Sequence, residues 1–281
     1  MRERQNLSRE AVGVGLRPVY MRQSQSASSG VDWFEAIAEN YLGTGPIPAG
    51  NLDRIADLVP VTLHGVSLDL LGTDPLDLDH LRAVDTLARR IGAPCFSDHL
   101  CWTRKGQWNS HDLLPTPFTE EIVEHAAARA RSVQEALSIP FGIENLSSYA
   151  AFASSTMTEW EFYTRVVREA GVWMMLDLNN IFVSAQNHGF DPQRYLEAID
   201  WDRVLYVHLA GHHIRPDGLR IDTHDAPVCP EVWDLYTTAW EMGGPFPTLV
   251  EWDAEFPPWE RLVEEAHKAR IHRARRILSH A

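Results

Sequence analysis

Eight short apolar runs rich in strand-forming residues recur along the 281-residue chain, each separated from the next by intervening sequence that in most cases reads as a helix. They cover residues 12–17 (VGVGLR), 33–39 (WFEAIAE), 61–66 (VTLHGV), 95–100 (CFSDHL), 141–146 (FGIENL), 173–179 (WMMLDLN), 205–209 (LYVHL) and 248–253 (TLVEWD). The intervening segments predict helices over 51–58, 79–91, 119–137, 157–170, 192–199 and 230–242, and a last one over 259–278. Asp79-x-x-Arg82 and Thr119-Glu120-Glu121 put capping or acidic groups in the first turn, where free N–H groups and the helix dipole favour them. Strands alternating with helices need crossover connections and hence a parallel sheet. Eight such units in about 280 residues predict an α/β fold, a closed (β/α)8 TIM barrel. No Gly-x-Gly-x-x-Gly follows the first run, which removes the commonest signature of a doubly wound sheet. With no convincing linker or repeat, residues 1–281 read as a single TIM-barrel domain, its core at about 10–255 and its C-terminal helix at about 259–278.

The formal net charge of −14 argues against broad binding to nucleic acid or an anionic membrane, since both need a cationic face. The first residues, MRERQNLSREAVGVGL, lack the apolar stretch of a signal peptide, and no run approaches a membrane span. Three cysteines, Cys95, Cys101 and Cys229, do not form a disulfide framework. The expectation is a soluble, cytoplasmic protein with no nucleic-acid or membrane partner.

The polar residues at the ends of these runs are distinctive. They are Glu39 and Asn40, His64, Asp98 and His99, Glu144 and Asn145, Asp177 and Asn180, His208, and Glu251 with Asp253. In a barrel these ends converge on the face that carries active sites. Residues 205–225 (LYVHLAGHHIRPDGLRIDTHD) add His212, His213, Asp222, His224 and Asp225, and His188 lies in the preceding connection. A lone histidine after a strand is most often a hydrogen-bonded rim residue. Here the bland account fails on coincidence: Glu144, Asp177 and Glu251 sit in apolar strands, where unpaired carboxylates are costly. The strand ends supply no Lys or Arg after Arg17, and metal ions meet the need for positive charge. The remaining histidines, His80, His111, His125, His267, His272 and His280, read as surface residues, His111 sitting in a segment that reaches towards the mouth. Cys101 reads as a small buried hydrophobe, and Trp33, Trp173 and Trp252 as packing.

The segments LHGVSL (63–68), SDHLCW (97–102), LLPTPFTEE (113–121), IENLSSY (143–149), LDLNNIFVSAQNHGFDP (176–192), VHLAGH (207–212), IDTHDAPV (221–228) and LVEWD (249–253) resemble the multinuclear non-heme iron-dependent oxidative enzymes, whose best-known member acts in methanobactin biosynthesis. The resemblance spans about residues 10–255. It implies a xylose-isomerase-like barrel, two or three irons in mixed Fe(II)/Fe(III) states, and dioxygen as co-substrate. It also implies oxidative modification of a ribosomal precursor peptide, often at cysteine, and in many members a separate leader-recognition partner protein.

The order of ligands further resembles the metal sites of apurinic endonucleases on the same barrel. Carried over singly, His64, His99 and Glu144 hold one metal. Glu144 bridges to a second, completed by Asp177, His208 and Glu251. Asp222 and His224 take a third. Where the endonuclease pattern has a histidine three residues after the aspartate of strand six, this chain has Asn180, which leaves Asn180 or His188 to complete the third site. Asp98, His188 and Asp225 are candidate proton-transfer or supporting groups by proximity in sequence. Imidazole and carboxylate donors suit zinc as well as iron, so a zinc-dependent phosphodiesterase or apurinic endonuclease, or a metal-dependent sugar isomerase, is the alternative from ligand types alone.

Overall fold

The eight apolar runs form eight parallel strands that close on one another in chain order: β1 Val12–Gly15, β2 Trp33–Ile37, β3 Val61–Gly65, β4 Phe96–His99, β5 Phe141–Glu144, β6 Trp173–Asp177, β7 Val204–Leu209 and β8 Thr248–Val250. Closure is made by β1 against β8, with Val12 opposite Thr248. This computed structural model describes residues 2–26 and 28–279, with side chains as far as Ala274, so His280 lies outside the described residues. The barrel is ringed by α1 Pro46–Ala56, α2 Leu78–Ile91, α3 Glu120–Ala136, α4 Glu159–Ala170, α5 Leu178–His188, α6 Pro192–Glu197, α7 Pro230–Gly243 and α8 Trp259–Ser279. No described helix is long and apolar enough to cross a membrane.

Strand period decides what faces inward, because residues two apart share a face. Trp33, Cys95, Met175, Tyr206 and Leu249 form a buried cluster of their own, separate from the larger core. Each precedes by two residues a polar partner on its strand or at its end: Glu35, Ser97, Asp177, His208 and Glu251. The apolar cluster is therefore the layer beneath the polar one. Register then levels the polar groups: His99 is opposite Glu144 and Asp177 opposite His208. The larger core lies between strands and helices, with Phe34, Phe96, Phe141 and Tyr163 fully buried.

Helix ends follow the local chemistry. Asp77 caps α2, accepting from the N–H groups of Asp79 and His80, so Asp79 stands inside the first turn. Thr119 caps α3, and Thr158 with Glu161 closes a capping box on α4. Three departures from the sequence reading have physical causes. α1 starts at Pro46, before the expected 51, because proline is accommodated in a first turn that donates no hydrogen bonds. α5 replaces the expected strand end and loop after residue 177: Asp177 caps it, and residues 178–185 are buried all round, which erases the amphipathic period. An antiparallel hairpin, Trp102–Lys105 with Trp108–Leu114, projects after β4 and carries His111 on its exposed edge. His80, His125, His267 and His272 are half-buried rather than on the open surface; His125 Nε2 lies 2.8 Å from the Gly72 carbonyl oxygen, and His272 stacks on Trp233.

Replacing Thr158 with alanine removes the side-chain half of the capping box, the bond from Glu161 N–H to the hydroxyl, and leaves the backbone N–H of residue 158 on Glu161. The expected loss is about 1 kcal/mol of stability, read as a lower denaturation midpoint at an unchanged slope.

Candidate metal centre

At the C-terminal end of the barrel the inward polar layer gathers into overlapping groups, each tight enough to hold one ion: His64, His99 and Glu144; Glu144, Asp177 and His208; Asp177, His224 and Glu251; and Glu35, His208 and Glu251. The first three groups share Glu144 and then Asp177, and the fourth shares His208 and Glu251 with the others, so each position has a ligand in common with a neighbour. His64 Nε2 and His99 Nε2 lie 3.3 and 3.2 Å from Glu144 Oε2. His208 Nδ1 lies 3.1 Å from Glu251 Oε2 and 3.9 Å from Asp177 Oδ2. His224 Nδ1 is 3.4 Å from Glu251 Oε2, and its Nε2 is 2.7 Å from Asp222 Oδ1. His224 takes this place in a left-handed backbone conformation (φ 49°), uncommon for a residue other than glycine. Hydrogen bonds from its N–H to Gly211 O and from Asp253 N–H to its carbonyl hold it there.

The donor set fits a metal. Glu35, Glu144, Asp177 and Glu251 are all buried, and among the described residues Arg17 is the one Lys or Arg paired with any of them, through Glu251 at 2.9 Å. Arg17 also binds Asp253. Several buried donor atoms are left without a hydrogen bond of good geometry despite these short separations: Glu144 Oε2, Asp177 Oδ2, Asn180 Oδ1, both ring nitrogens of His208, and His224 Nε2. Orphaned polar atoms at this depth cost about 1–3 kcal/mol each unless something satisfies them. Imidazole and carboxylate donors of this kind satisfy iron, zinc or another divalent ion.

Protonation follows from the same crowding. Burial pushes His64 down to about 4, leaving it neutral and ready to bind. Burial opposes the His99 imidazolium, but Glu144 and Asp98 outweigh it and lift the ring to about 9. Burial pushes Glu144 up to about 8, and burial reinforced by Asp222 raises Asp177 to about 6. Burial also opposes charge on His208 and His224, yet Glu35 and Glu251 hold the first, and Asp222 and Glu251 the second, above the ordinary range. Glu251 is held well below its usual range despite burial, by His208, His224 and Arg17.

The other expected site residues are placed as follows. Asn180, in the first turn of α5, turns its amide N–H groups to Asn145 O (3.0 Å) and Glu144 Oε1 (3.4 Å), leaving the carboxamide oxygen free beside these positions. Asp222 stands beside His224 and accepts from Asn179 Nδ2 at 2.6 Å, outside the three-residue groups. Asp98 accepts from the N–H groups of Ser67 and Leu68, tying down the loop after β3. His188, at the end of α5, lies 2.8 Å from Ser148 Oγ and joins none of the groups. Asp225 accepts from Thr223 Oγ1 at 2.5 Å, also outside them. His212 Nδ1 lies 2.8 Å from Asn179 Oδ1, whose amide N–H donates to Asp222, and His213 is exposed. Sequence reasoning missed Glu35: it chose Glu39 at the end of the run, whereas counting in twos from Trp33 points Glu35 inward. Glu39 instead accepts from Val66 N–H at 3.1 Å.

A cavity of about 270 Å³ opens above the centre. Ile37, Val66, Leu113, Leu146 and Tyr149 line it with His64, His99, Glu144, His224 and Glu251, and no Lys or Arg does among the described residues.

His99 and Glu144 hold protons near neutral pH that a metal must displace, since their values are about 9 and about 8. Metal uptake therefore releases protons, and affinity climbs as pH rises from neutral towards about 9. Titrations at stepped pH check this; a flat profile contradicts it.

Comparison with known proteins agrees with this geometry. Among solved structures, an L-ribulose 3-epimerase superposes with a TM-score of 0.65 at 15% identity, over 96% of this chain and 98% of that one. The IOLI protein with a binding zinc atom gives 0.60 at 12%, over 93% and 96%. At such identities the likeness shows the fold alone, the xylose-isomerase-like TIM barrel. A UPF0276 protein of Anaeromyxobacter sp. (strain Fw109-5) is 44% identical over 257 residues, 92% of this chain and 90% of the relative. One from Caulobacter vibrioides is 43% identical over 262 residues, 93% of each. Residues 11–274 match the model of the RiPP precursor modification enzyme MbnB/TglH/ChrH, where RiPP denotes a ribosomally synthesised and post-translationally modified peptide. The chain belongs to that family of precursor-peptide modification enzymes.

Proposed function

We propose that this protein is a multinuclear non-heme iron enzyme that uses dioxygen to modify a ribosomal precursor peptide oxidatively, at a cysteine. The observation that carries the proposal is the set of buried, orphaned donors sharing Glu144 and Asp177 beneath a cavity. His64, His99 and Glu144 hold the first iron. Glu144, Asp177 and His208 hold the second. Asp177, His224 and Glu251 hold a third, with Asn180 Oδ1 and Asp222 beside it. When bound, iron supplies a seat for a substrate thiolate and the means of activating dioxygen.

The chain's own residues do the rest. Arg17 fixes Glu251 and Asp253 at the rim, so that both carboxylates keep their orientation. Ile37, Val66, Leu113 and Leu146 exclude water from the reacting side chain. Ser147 and Tyr149, hydrogen-bonded to each other at 2.9 Å, offer hydroxyls to a peptide backbone. A cavity lined by carboxylates and, among the described residues, free of Lys and Arg suits a neutral or basic peptide. It repels the phosphate of a phosphodiesterase substrate, which needs positive charge in addition to metal. The choice of iron over zinc is supported by the resemblance to iron-dependent oxidative enzymes, since the donors accept both. A separate leader-recognition protein and a cytoplasmic setting belong to the same proposal, the latter supported by three unpaired cysteines.

Co-expression with short cysteine-containing peptides drawn from the neighbouring reading frames tests the reading. Intact-mass measurement is expected to show an oxidative mass change in air and none without oxygen. Glu144→Gln lowers the yield more than about 100-fold, because a bridging ligand is lost. An unmodified peptide in the presence of iron-loaded protein, or equal conversion by a zinc-only form, contradicts it.

A further inference from the structure

Beneath the candidate centre, and outside its cavity, three hydrogen bonds and one close ion-pair contact join ligands of two different positions. His64 turns Nε2 to Glu144 and Nδ1 to Ser97 Oγ, 2.7 Å away. Ser97 Oγ lies 2.6 Å from Tyr206 OH, and Tyr206 OH donates to Glu35 Oε2 at 2.5 Å. The other oxygen, Glu35 Oε1, lies 2.9 Å from His208 Nε2, a close ion-pair contact rather than an aligned hydrogen bond. Every member is buried. We propose that Glu35, Tyr206 and Ser97 form a polarised strap that sets the tautomers of His64 and His208, ligands of two metal positions.

The direction of the strap follows from counting protons. A neutral imidazole carries one N–H. A metal at His64 Nε2 leaves the proton on Nδ1, which donates to Ser97 Oγ. The serine hydroxyl then donates to Tyr206 and the phenol to Glu35. A metal on the Asp177 and Glu251 side of His208, at Nδ1, leaves its proton on Nε2, which donates to the second Glu35 oxygen. Both lines end on one carboxylate that only accepts, so each link has one donor and one acceptor. Reversing the serine and tyrosine hydroxyls would put the proton on the metal-facing nitrogen of His64. His99 is outside the strap: its Nδ1 faces the Gly65 carbonyl oxygen at 3.2 Å, which fixes that tautomer independently. Glu35, Tyr206 and Ser97 are thus positioning residues, and histidine ligands typically depend on such partners for orientation and basicity. Glu35 also stands close enough to His208 and Glu251 to be a ligand itself, but Tyr206 already occupies its Oε2 and Oε1 faces His208 Nε2.

The inference rests on the metal-centre reading and is independent of which metal is native. The test uses the full chain, zinc as probe, competition with a chromophoric chelator for affinity, and 15N NMR of the histidine rings for tautomers. In the zinc-loaded wild type, His64 is expected protonated at Nδ1 and His208 at Nε2. Tyr206→Phe keeps the shape and cuts the strap; it weakens the His64 position about 10–100-fold and scrambles that tautomer, leaving His99 and His208 unchanged. Glu35→Gln must donate from one side of its amide, and it disturbs His64, His208 or both. Ser97→Ala cuts the strap one link earlier and gives the Tyr206→Phe result where that variant fails to fold. Wild-type affinities and tautomers in all three variants overturn the strap. So does loss of a whole zinc equivalent in Glu35→Gln with Tyr206→Phe silent, which would make Glu35 a ligand. Failure of the wild type to bind metal overturns the metal-centre reading itself, a result distinct from binding with silent variants.

Discussion

Uncompensated negative charge in the barrel mouth is the constraint on which the rest depends. Glu35, Glu144, Asp177 and Glu251 are buried on one layer with Arg17 as the one Lys or Arg paired to them among the described residues. Burial of ionised carboxylates costs several kcal/mol apiece unless they are paired. Without metal, the layer manages by retaining protons: Glu144 is pushed up to about 8 and His99 lifted to about 9. The proton inventory and the orphaned donor atoms are two signs of the same unmet demand, and divalent ions satisfy both.

The fold exists to make this layer possible. Parallel strands in consecutive order place eight C-terminal ends side by side, and a side-chain period of two puts Glu35, Asp177 and His208 directly above Trp33, Met175 and Tyr206. The apolar layer lies below, and of the polar one His64, His99, Glu144 and Glu251 reach the cavity. Arg17 stitches the closing seam, reaching from the end of β1 to Glu251 and Asp253 just beyond β8. The sharp loop of His224 brings a further imidazole over the top.

How far the sequence could be read depended on what each signal measures. Strands were legible because a short apolar run ending in a polar group is hard to mistake for an amphipathic helix. α5 was not, because burial on every side leaves residues 178–185 without a helical period. His64, His99, Glu144, Asp177, His208, His224 and Glu251 were legible as residues whose chemistry contradicts their apolar setting, and the structure brings them together. Glu35 has the same property but sits mid-strand, so a search confined to strand ends passes over it. His188 and Asp225 were chosen by nearness in sequence; they stand outside the three-residue groups, hydrogen-bonded to Ser148 and Thr223. The hairpin over the mouth carries no strong turn dipeptide of the Asn-Gly kind; Lys105-Gly106-Gln107 supplies only a single glycine, and Gly106 adopts the left-handed conformation (φ 59°) that the turn needs.

The central claim is that this buried layer of acids and imidazoles is a multinuclear iron centre. Anomalous diffraction from crystals of anaerobically purified protein, collected on both sides of the iron absorption edge, tests it most directly. The account predicts two or three iron peaks, one among His64, His99 and Glu144, one among Glu144, Asp177 and His208, and the third among Asp177, His224 and Glu251. A map with no metal in these positions, or one holding zinc alone in active protein, would contradict it.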